Sequence, residues 1–301
     1  MKVGIIPARH KPLAGELALQ LAALCEARGV TPLLTADAAD RLDRPDLAAP
    51  EDDLACADTI VTLTGDGGVL AAARLAAPYK TPILAVDLGR LGFLSAVRPD
   101  DIEAAFERLL SDGYDCEERM MLDARVYRGA STPQLSNDSS TFSEVGGSIG
   151  LNDAVVAKSA LARVLRLTIT VADDVMAETR ADGLVISTPT GSTAYALAAG
   201  GPIVHPDVPL LLICPICAHS LAQRPIVVSP DEEVEIRAEW EGDEVASEYL
   251  EAMLTIDGQV GVRLYSGDVV KLRRSERVAR LLRVPGDSFY DRLREKMRWG
   301  K

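Results

Sequence analysis

The first 116 residues alternate short apolar runs with segments of helical spacing, and this alternation limits the fold more than any other feature. The apolar runs are KVGII, TPLLT, TIVTLT and TPILAV. Helical patterns follow at residues 13–28, from about Val69 and after Pro99. Strands that alternate with helices are typical of a parallel sheet with helices packed on its faces. We therefore predict an α/β domain over residues 1–118.

The texture changes after Glu118, where short β-rich segments replace helical spacing. These segments are MLDARVY, AVVAKSA, LRLTITVA, GLVIST, PIVVS, EVEIRAEW and MLTIDGQ. They predict a mostly β domain over residues 119–280. Residues 281–301 are predicted to be a tail with a short amphipathic helix that packs back on the first domain. The run from Gly129 to Gly150 is crowded with Ser, Thr and Gly, which predicts a mobile loop.

Composition excludes several classes of protein. A formal net charge of -13 opposes general nucleic-acid binding, which depends on clustered Lys and Arg. The apolar runs, such as Leu210 to Cys214, are far shorter than the roughly 20 residues that span a bilayer. Met1 to Ile6 has the pattern of a strand and not of a signal peptide, and the five cysteines are an odd number that suits a reducing compartment. We therefore expect a cytoplasmic protein with no membrane partner and no disulfide framework. Cys214 and Cys217 form a CxxC that follows an apolar run and lacks a second CxxC or a nearby histidine pair, so we interpret it as core packing, with a redox or metal role as the alternative, and expect no metal site made of protein side chains.

The stretch TIVTLTGDGGVLAAARLA, residues 59–76, has the pattern of a strand, a glycine-rich turn and a helix. Such turns approach phosphate groups, yet this one contains an anion, Asp66. One interpretation is a dinucleotide-binding turn, since Gly65 and Gly67 give G-x-G, although Leu70 occupies the third glycine position. A second is that Asp66 only caps the helix. A third is that its carboxylate accepts the proton of a sugar hydroxyl, or helps to hold Mg²⁺, during phosphate transfer.

Motifs along nearly the whole chain resemble those of the NAD kinase family. They are TGDGG at residues 64–68, GRLGFLS at 89–95, LND at 151–153, ADGLVISTPTGSTAYALAAGGPIVHPD at 181–207, CPICAHSLAQRPIVV at 214–228, IDGQ at 256–259 and SFYDRLREKMRW at 288–299. The resemblance implies a two-domain NAD kinase-like fold, in which residues 1–118 bind nucleotide through the TGDGG loop and residues 119–280 bind NAD and mediate oligomerisation. It also implies an enzyme that uses Mg²⁺ and transfers the terminal phosphate of ATP, or of another phosphate donor, to the 2′-hydroxyl of the adenosine ribose of NAD, giving NADP.

The same resemblance implies roles for individual residues. Asp66 matches the general base, while Gly65 and Gly67 match positions that shape the phosphate contact. Asn152 and Asp153 match the pair that binds the adenosine end of NAD. The remaining matches contact nucleotide: Thr193, Ala194 and Tyr195 at the adenine, Ala198 in the same T-A-Y-x-x-S pattern, Arg180 and Asp182 on the nicotinamide side, and Gln259 and Arg163 near the bound nucleotide. Arg90 and His219 are phosphate-contact candidates by their chemistry alone.

Five positions depart from the family pattern. Thr64 and Gly68 exchange a glycine and a threonine, Asp153 replaces glutamate, Ala198 replaces serine and Asp87 replaces asparagine. These changes leave open a catalytically weak or inactive protein that binds NAD(P)(H). Diacylglycerol and sphingosine kinases carry a similar glycine-rich loop but lack the STPTGSTAY segment. The resemblance also implies a homodimer or homotetramer in which a neighbouring subunit helps to complete the NAD site.

Overall fold

The computed structural model describes residues 1–89, 92–129, 142–159, 164–220, 222–240 and 252–298. The chain divides into two compact units. The first comprises Met1–Arg119 and Arg277–Lys301, and the second comprises Met120–Glu276. Two strands, β6 (Asp115–Gly129) and β17 (Val269–Arg283), carry the chain from one unit into the other. No helix within the described residues is long and apolar enough to cross a membrane.

The first unit contains a parallel sheet whose strand order is β5, β4, β1, β2, β3. These strands are β1 (Lys2–Pro7), β2 (Thr31–Thr35), β3 (Ala48–Ala49), β4 (Thr59–Thr64) and β5 (Pro82–Asp87). The end of β17 pairs in parallel with β5 at Arg280 and Leu281. All six residues of β4 are buried, because strands in a parallel sheet are covered on both faces. The predicted α/β architecture of this half of the chain is confirmed.

Six of the seven α-helices in the described chain belong to this unit. They are α1 (Pro12–Ala27), α2 (Ala36–Arg41), α3 (Glu51–Ala55), α4 (Asp66–Ala76), α5 (Ile102–Leu110) and α7 (Phe289–Met297). On α1 the buried residues Ala14, Leu17, Ala18, Leu21, Ala22 and Cys25 recur at helical spacing and face the sheet. The helix begins with Pro12, and Gly29 follows its end with a positive φ of 69°.

The second unit consists mostly of two antiparallel sheets. One contains β9 (Leu165–Val171), β10 (Asp174–Ala181), β14 (Val234–Glu239) and the adjoining parts of β6 and β17, with β7 (Phe142–Gly150) paired to β6. The other has the order β13 (Ile226–Val228), β12 (Leu211–Ile216), β11 (Gly183–Ser187), β8 (Asp153–Lys158), β15 (Ala252–Ile256), β16 (Val260–Leu264). Their inner faces share one apolar core that includes Leu167 and Ile236 from one sheet and Val156 and Leu254 from the other. The predicted mostly β character is confirmed.

The predicted mobile loop over Gly129–Gly150 is wrong for its second half. Residues 130–141 lie outside the described chain, but Phe142–Gly150 forms β7, which pairs antiparallel with β6 from Gly129 to Leu122. A β-bulge interrupts the pairing at Val126 and Tyr127, beside Gly147. A Cβ on Gly147 would lie 2.2 Å from the carbonyl oxygen of Ala124, and its φ is 153°. Gly147, one of the glycines that suggested a loop, permits a close backbone approach within a strand pair.

Candidate functional site

The glycine-rich turn lies at the carboxyl edge of the parallel sheet. Thr64 ends β4, its register partner Asp87 ends β5, and α4 begins directly at Asp66. Gly65 is the N-cap of α4 and its backbone is extended, with φ -100° and ψ -175°. Gly67 lies in the first turn of the helix, so neither glycine requires a positive φ. Thr64 also has the conformation of a strand residue, so threonine in place of the family's glycine causes no left-handed strain.

The carboxylate of Asp66 is held by a neighbouring segment of the same unit. Its Oδ2 accepts a hydrogen bond from the backbone N–H of Phe93 at 3.1 Å, and its Oδ1 accepts one from Leu94 at 3.4 Å. The side chain is 33% exposed. Each oxygen retains capacity to accept a further hydrogen bond, because a carboxylate has about four acceptor sites. Asp66 is therefore oriented by its surroundings and still accessible to a ligand.

Gly92 permits this approach. A Cβ at position 92 would lie 1.9 Å from Asp66 Oδ1, a distance that no side chain can occupy. The GRLGFLS motif contains Gly92, but its local pattern gives no sign that the residue faces Asp66. Gly92 was therefore not predicted from the sequence as a site residue.

Asp87 organises the same segment from within. It is buried, its Oδ1 accepts from the N–H of Gly89 at 2.9 Å, and its Oδ2 accepts from the N–H of Gly92 at 2.7 Å. The negative charge that Asp87 adds in place of the family's asparagine is directed inward at two backbone amides. Arg90 lies outside the described residues, so its expected phosphate contact stays a prediction.

Arg283 supports the opposite edge of the segment. Its guanidinium is buried and donates to the carbonyl oxygens of Phe93, Leu94 and Ser95 at 3.3, 2.8 and 3.1 Å and to Glu117 at 2.8 Å. Burial, and then the charges of two nearby arginines, lower the pKa of Arg283 to about 10, so it remains charged at neutral pH. The segment that orients Asp66 is thus fixed through its amides and its carbonyls.

In the second unit, one carboxylate organises the Asn152–Asp153 turn. Asp257 is buried in a left-handed conformation with φ 52°, and it accepts from the N–H groups of Leu151, Asn152 and Asp153 at 3.0, 2.8 and 3.3 Å. In the IDGQ motif only Gln259 was predicted to lie at the site, and Asp257 was not. Gln259 lies exposed, two residues beyond it.

Asp153 is itself buried, with 5% of its surface exposed. Burial, and then the nearby negative charge of Asp257, raise its pKa to about 7, while the backbone N–H of Tyr195 acts in the opposite direction. The carboxylate therefore faces the protein, next to a second acid, more than it faces a ligand.

The glycine- and threonine-rich segment packs directly on this turn. The carbonyl oxygen of Asn152 accepts from the N–H of Thr188 at 2.9 Å, and Thr188 Oγ1 donates to the carbonyl oxygen of Leu151 at 2.6 Å. A Cβ on Gly191 would lie 2.1 Å from the Asn152 carbonyl oxygen, so only glycine fits there. Asn152 is half-buried, and its side-chain amide has no hydrogen bond with the described parts of the chain.

Tyr195 begins the short helix α6 (Tyr195–Ala198), and its side chain is 46% exposed. A tyrosine in a glycine-rich turn ordinarily lies in the core, but this ring lies outside it. Thr193 is half-buried and donates through Oγ1 to the carbonyl oxygen of Thr190 at 3.3 Å, Ala194 is half-buried and Ala198 is exposed. The second unit thus brings Asn152, Asp153 and the Thr193–Tyr195 segment together.

Arg180 and Asp182 lie away from this group. Register pairs Ser187 with Asp153 at one end of β11 and Gly183 with Ala157 at the other, which separates the ends by roughly 13 Å at about 3.3 Å per residue. Asp182 forms an ion pair with Lys158 at 2.9 Å, and Arg180 is exposed with its carbonyl oxygen bonded to the N–H of His219. Arg163 lies outside the described residues.

The fold and these two groups of residues define a two-domain protein that presents a carboxylate at the carboxyl edge of an α/β sheet and an Asn-Asp turn on a β-rich unit. The sequence profile of the ATP-NAD kinase N-terminal domain matches residues 11–114, and that of the ATP-NAD kinase C-terminal domain matches residues 151–284. The chain belongs to the NAD kinase family.

Relatives and solved structures agree along the full length. The NAD kinase of Geobacter metallireducens is 42% identical over 301 residues, covering 100% of this chain and 99% of its own. That of Symbiobacterium thermophilum is 41% identical over 298 residues, with 98% of each chain covered. The crystal structure of yeast NADH kinase complexed with NADH matches with a TM-score of 0.85 at 24% identity, covering 100% of this chain and 88% of that one. An NAD kinase from Archaeoglobus fulgidus in complex with ATP gives a TM-score of 0.72 at 22% identity and 99% coverage of both chains. These structural matches confirm the predicted fold class.

Proposed function

We propose that this NAD kinase family enzyme phosphorylates NAD with ATP, and that Asp66 is the base that receives the proton of the adenosine 2′-hydroxyl. Full-length relatives named NAD kinase support the reaction. The observation that carries the role of Asp66 is its carboxylate, which is oriented by the N–H groups of Phe93 and Leu94 yet 33% exposed. A base with fixed orientation and remaining acceptor capacity is what abstraction of a hydroxyl proton requires.

The reaction is a transfer of one phosphoryl group. The 2′-oxygen of the ribose forms a bond to the terminal phosphorus of ATP while the bond from that phosphorus to its bridging oxygen breaks. The electron pair of the broken bond leaves with ADP, and the hydroxyl proton passes to Asp66. Positioning and charge stabilisation supply most of the catalysis in such transfers, and the held carboxylate fits that requirement.

The second unit is proposed to bind the adenosine end of NAD. The Asn152 side-chain amide offers a hydrogen-bond donor and an acceptor to an adenine edge. The exposed ring of Tyr195 offers a flat apolar surface, and Thr193 adds a hydroxyl. Buried Asp153 acts here mainly on the turn. Arg180 and Asp182, at the other end of β11, suit the nicotinamide side of an extended dinucleotide. Gln259 and Arg163 are proposed to lie near the nucleotide.

Mg²⁺ fits the chemistry of the first unit. In phosphoryl-transfer sites the ion is bound through one or two carboxylates and the phosphates of the nucleotide. Asp66 provides one partly exposed carboxylate, and no cluster of three or more metal-ligating side chains occurs among the described residues. The ion would therefore be held mainly by ATP, with Asp66 beside it, and when bound it neutralises phosphate charge.

A catalytically silent NAD(P)(H)-binding protein is the alternative that the departures from the family pattern raised. Thr64 is unstrained and the charge of Asp87 is taken up by two amides. Nothing in the described parts of the chain favours that alternative.

A homodimer or homotetramer is proposed to form through the β-rich unit. Exposed apolar side chains lie on two edge strands of that unit, Val175 on β10 and Ile226 and Val227 on β13. Apolar edges of this kind favour pairing with another chain. We further propose a cytoplasmic location, supported by five cysteines that are all unpaired. Light scattering of the purified protein tests the assembly, and the mass of a single chain would contradict it.

The deciding experiment measures NADP formation by the purified chain with ATP, Mg²⁺ and NAD. Asp66→Asn preserves the shape of the side chain but weakens it as a base, so we expect turnover to fall at least about 100-fold while NAD still binds. Asp37→Asn is the matched control, because Asp37 is an exposed acid paired with Arg9 and Arg41 in the same unit. Wild-type turnover in Asp66→Asn would refute the role of the carboxylate.

A further inference from the structure

Lys296 lies beside the proposed base. It occupies the last turn of α7, and its Nζ is 3.5 Å from Asp66 Oδ2 and 4.5 Å from the ring centre of Phe93. The side chain is 36% exposed. The same ammonium thus contacts both the carboxylate and the residue whose N–H binds that carboxylate. Lys296 lies within the motif SFYDRLREKMRW, but no role was predicted for it from the sequence.

The structure of α7 places Lys296 there. Ser288 caps the helix by accepting from the N–H of Asp291 at 3.1 Å, which satisfies an amide of the first turn. Buried Leu293 anchors the middle of the helix, and the Phe289 ring lies 6.4 Å from that of Phe93. Lys296 follows Leu293 by three residues, so both project from one face of the helix. Its position beside Asp66 is therefore built into the docked helix.

The neighbouring cations of α7 are engaged differently. Arg292 donates to Asp287 at 2.6 Å, and Arg294 donates to Asp291. Lys296 approaches Asp66 only at 3.5 Å, and within the described residues no hydrogen bond satisfies its ammonium. An ammonium carries three N–H donors. This lysine therefore retains the capacity to bind an anion.

We propose that Lys296 binds the terminal phosphate of the triphosphate from which the phosphoryl group is transferred. The inference rests on Asp66 being the base, because the transferred phosphorus must then lie next to the hydroxyl that Asp66 contacts. Phosphate oxygens brought so close to a carboxylate repel it, and a cation between them offsets that repulsion. Lys296 donates to non-bridging oxygens and takes no part in the proton transfer. It is a substrate-binding residue that specifies a polyanionic phosphate source.

The test compares Lys296→Met, which keeps the length of the side chain without its charge, with Lys296→Arg and Arg294→Met. Calorimetry with a non-hydrolysable ATP analogue measures binding without turnover, and steady-state kinetics separate the KM for ATP, the KM for NAD and kcat. We expect Lys296→Met to weaken binding of the analogue at least about tenfold, the loss typical of one charge-assisted hydrogen bond. The KM for NAD should remain within about twofold, since its adenosine end is assigned to other residues.

The controls separate binding from folding. Arg294→Met removes a cation from the same helix and should leave analogue binding unchanged, while Lys296→Arg should recover part of the affinity because it restores a cation. In the absence of Mg²⁺, Asp66→Asn should tighten analogue binding, since it removes the anion that competes for Lys296, and this gain should vanish in the double variant with Lys296→Met. Equal loss of ATP and NAD binding together with a lowered melting temperature would indicate a structural role and overturn the proposal.

Failure of this inference is distinguishable from failure of the proposed function. If Lys296→Met forms NADP with wild-type kinetics and binds the analogue as tightly as the wild type does, the inference is overturned. The NAD kinase activity is then unaffected by that result. Absence of NADP formation by the wild type overturns the proposed function, and the calorimetric comparison still decides whether Lys296 binds triphosphate.

Discussion

The side chain of Thr64 occupies the space that a side chain at position 68 would need. A Cβ on Gly68 would lie 2.4 Å from both Cβ and Oγ1 of Thr64, which is buried at the end of β4. The family pattern places glycine at the first of these positions and threonine at the second. The two departures are therefore one exchange, in which each residue makes the other possible.

This relationship predicts the outcome of reversing the exchange. Gly68→Thr alone should lower the free energy of unfolding by about 1 to 3 kcal/mol, because the added side chain overpacks a buried site. The double variant Thr64→Gly, Gly68→Thr should recover most of that loss. Urea denaturation of the wild type, both single variants and the double variant measures the coupling. Strictly additive effects would show that the two side chains do not share this space.

Gly92→Ala should impair catalysis more than stability. The new methyl group would meet Asp66 Oδ1 at 1.9 Å, so the carboxylate must move off its two amide donors. A displacement of about 1 Å at a reacting group can cost about 100-fold in rate, and we expect a fall of that size in kcat. Gly89→Ala in the same segment is the comparison, since its Cβ would have ordinary contacts at 3.7 Å. A larger loss of kcat in Gly89→Ala than in Gly92→Ala would contradict the steric argument.

Asp153 should make the protein less stable as the pH rises from about 4 to about 7. Its pKa in the folded state is about 7, above its ordinary value of 3.8, so within this window the folded state binds more protons than the unfolded state. The free energy of unfolding then decreases with pH, on the order of 1.4 kcal/mol for each unit of the pKa difference, and levels off above pH 7. Asp153→Asn should remove this part of the pH dependence and be more stable than the wild type at pH 8.

Urea denaturation at pH 5, 6, 7 and 8 checks this behaviour. Asp231→Asn, an exposed acid of the same unit, should follow the wild-type profile. A wild-type profile in Asp153→Asn would mean that the buried carboxyl does not titrate in this range.

Asp257 should control NAD binding without affecting ATP. Asp257→Ala removes the acceptor of three backbone N–H groups and places alanine in a left-handed conformation, so the Asn152–Asp153 turn loses its support. We expect the KM for NAD to rise at least about tenfold, the cost of one or more such hydrogen bonds. Asp257→Asn keeps an acceptor oxygen and tolerates the left-handed backbone, so its effect should be smaller. A KM for ATP that rises in parallel in Asp257→Ala would argue against a role specific to NAD.

The strands that have a clear local apolar pattern were predicted from the sequence. The apolar run TIVTLT forms β4, which is buried at every position. Strands of a parallel sheet are covered on both faces and so have near-continuous apolar sequences, which is why this strand could be predicted. The strand β7 was missed because its glycines and serines carry no apolar pattern, and its pairing with β6 is determined by a long-range backbone approach at Gly147.

The candidate site divides in the same way. Asp66 and Asn152 belong to the motifs TGDGG and LND, which are recognisable in the sequence, and in the structure both lie in organised turns. The residues that hydrogen-bond to them were not predicted, because they are distant in sequence. Phe93 is 27 residues from Asp66, and Asp257 is 105 residues from Asn152. No local periodicity connects residues so far apart. The motifs GRLGFLS, IDGQ and SFYDRLREKMRW contain Gly92, Asp257 and Lys296, so they indicate the segments in which these residues lie but not the contacts that the residues make.

The buried Arg283 determines when the first unit can be completed during synthesis of the chain. The first unit is made from both ends of the chain, and the ribosome adds Arg283 and Lys296 only after the whole β-rich unit has been translated. A nascent chain that stops before residue 277 already contains Asp66 but lacks the guanidinium that fixes the Phe93–Ser95 carbonyls. A fragment that ends with the β-rich unit therefore lacks part of the first unit, including the guanidinium that binds the Phe93–Ser95 carbonyls beside Asp66.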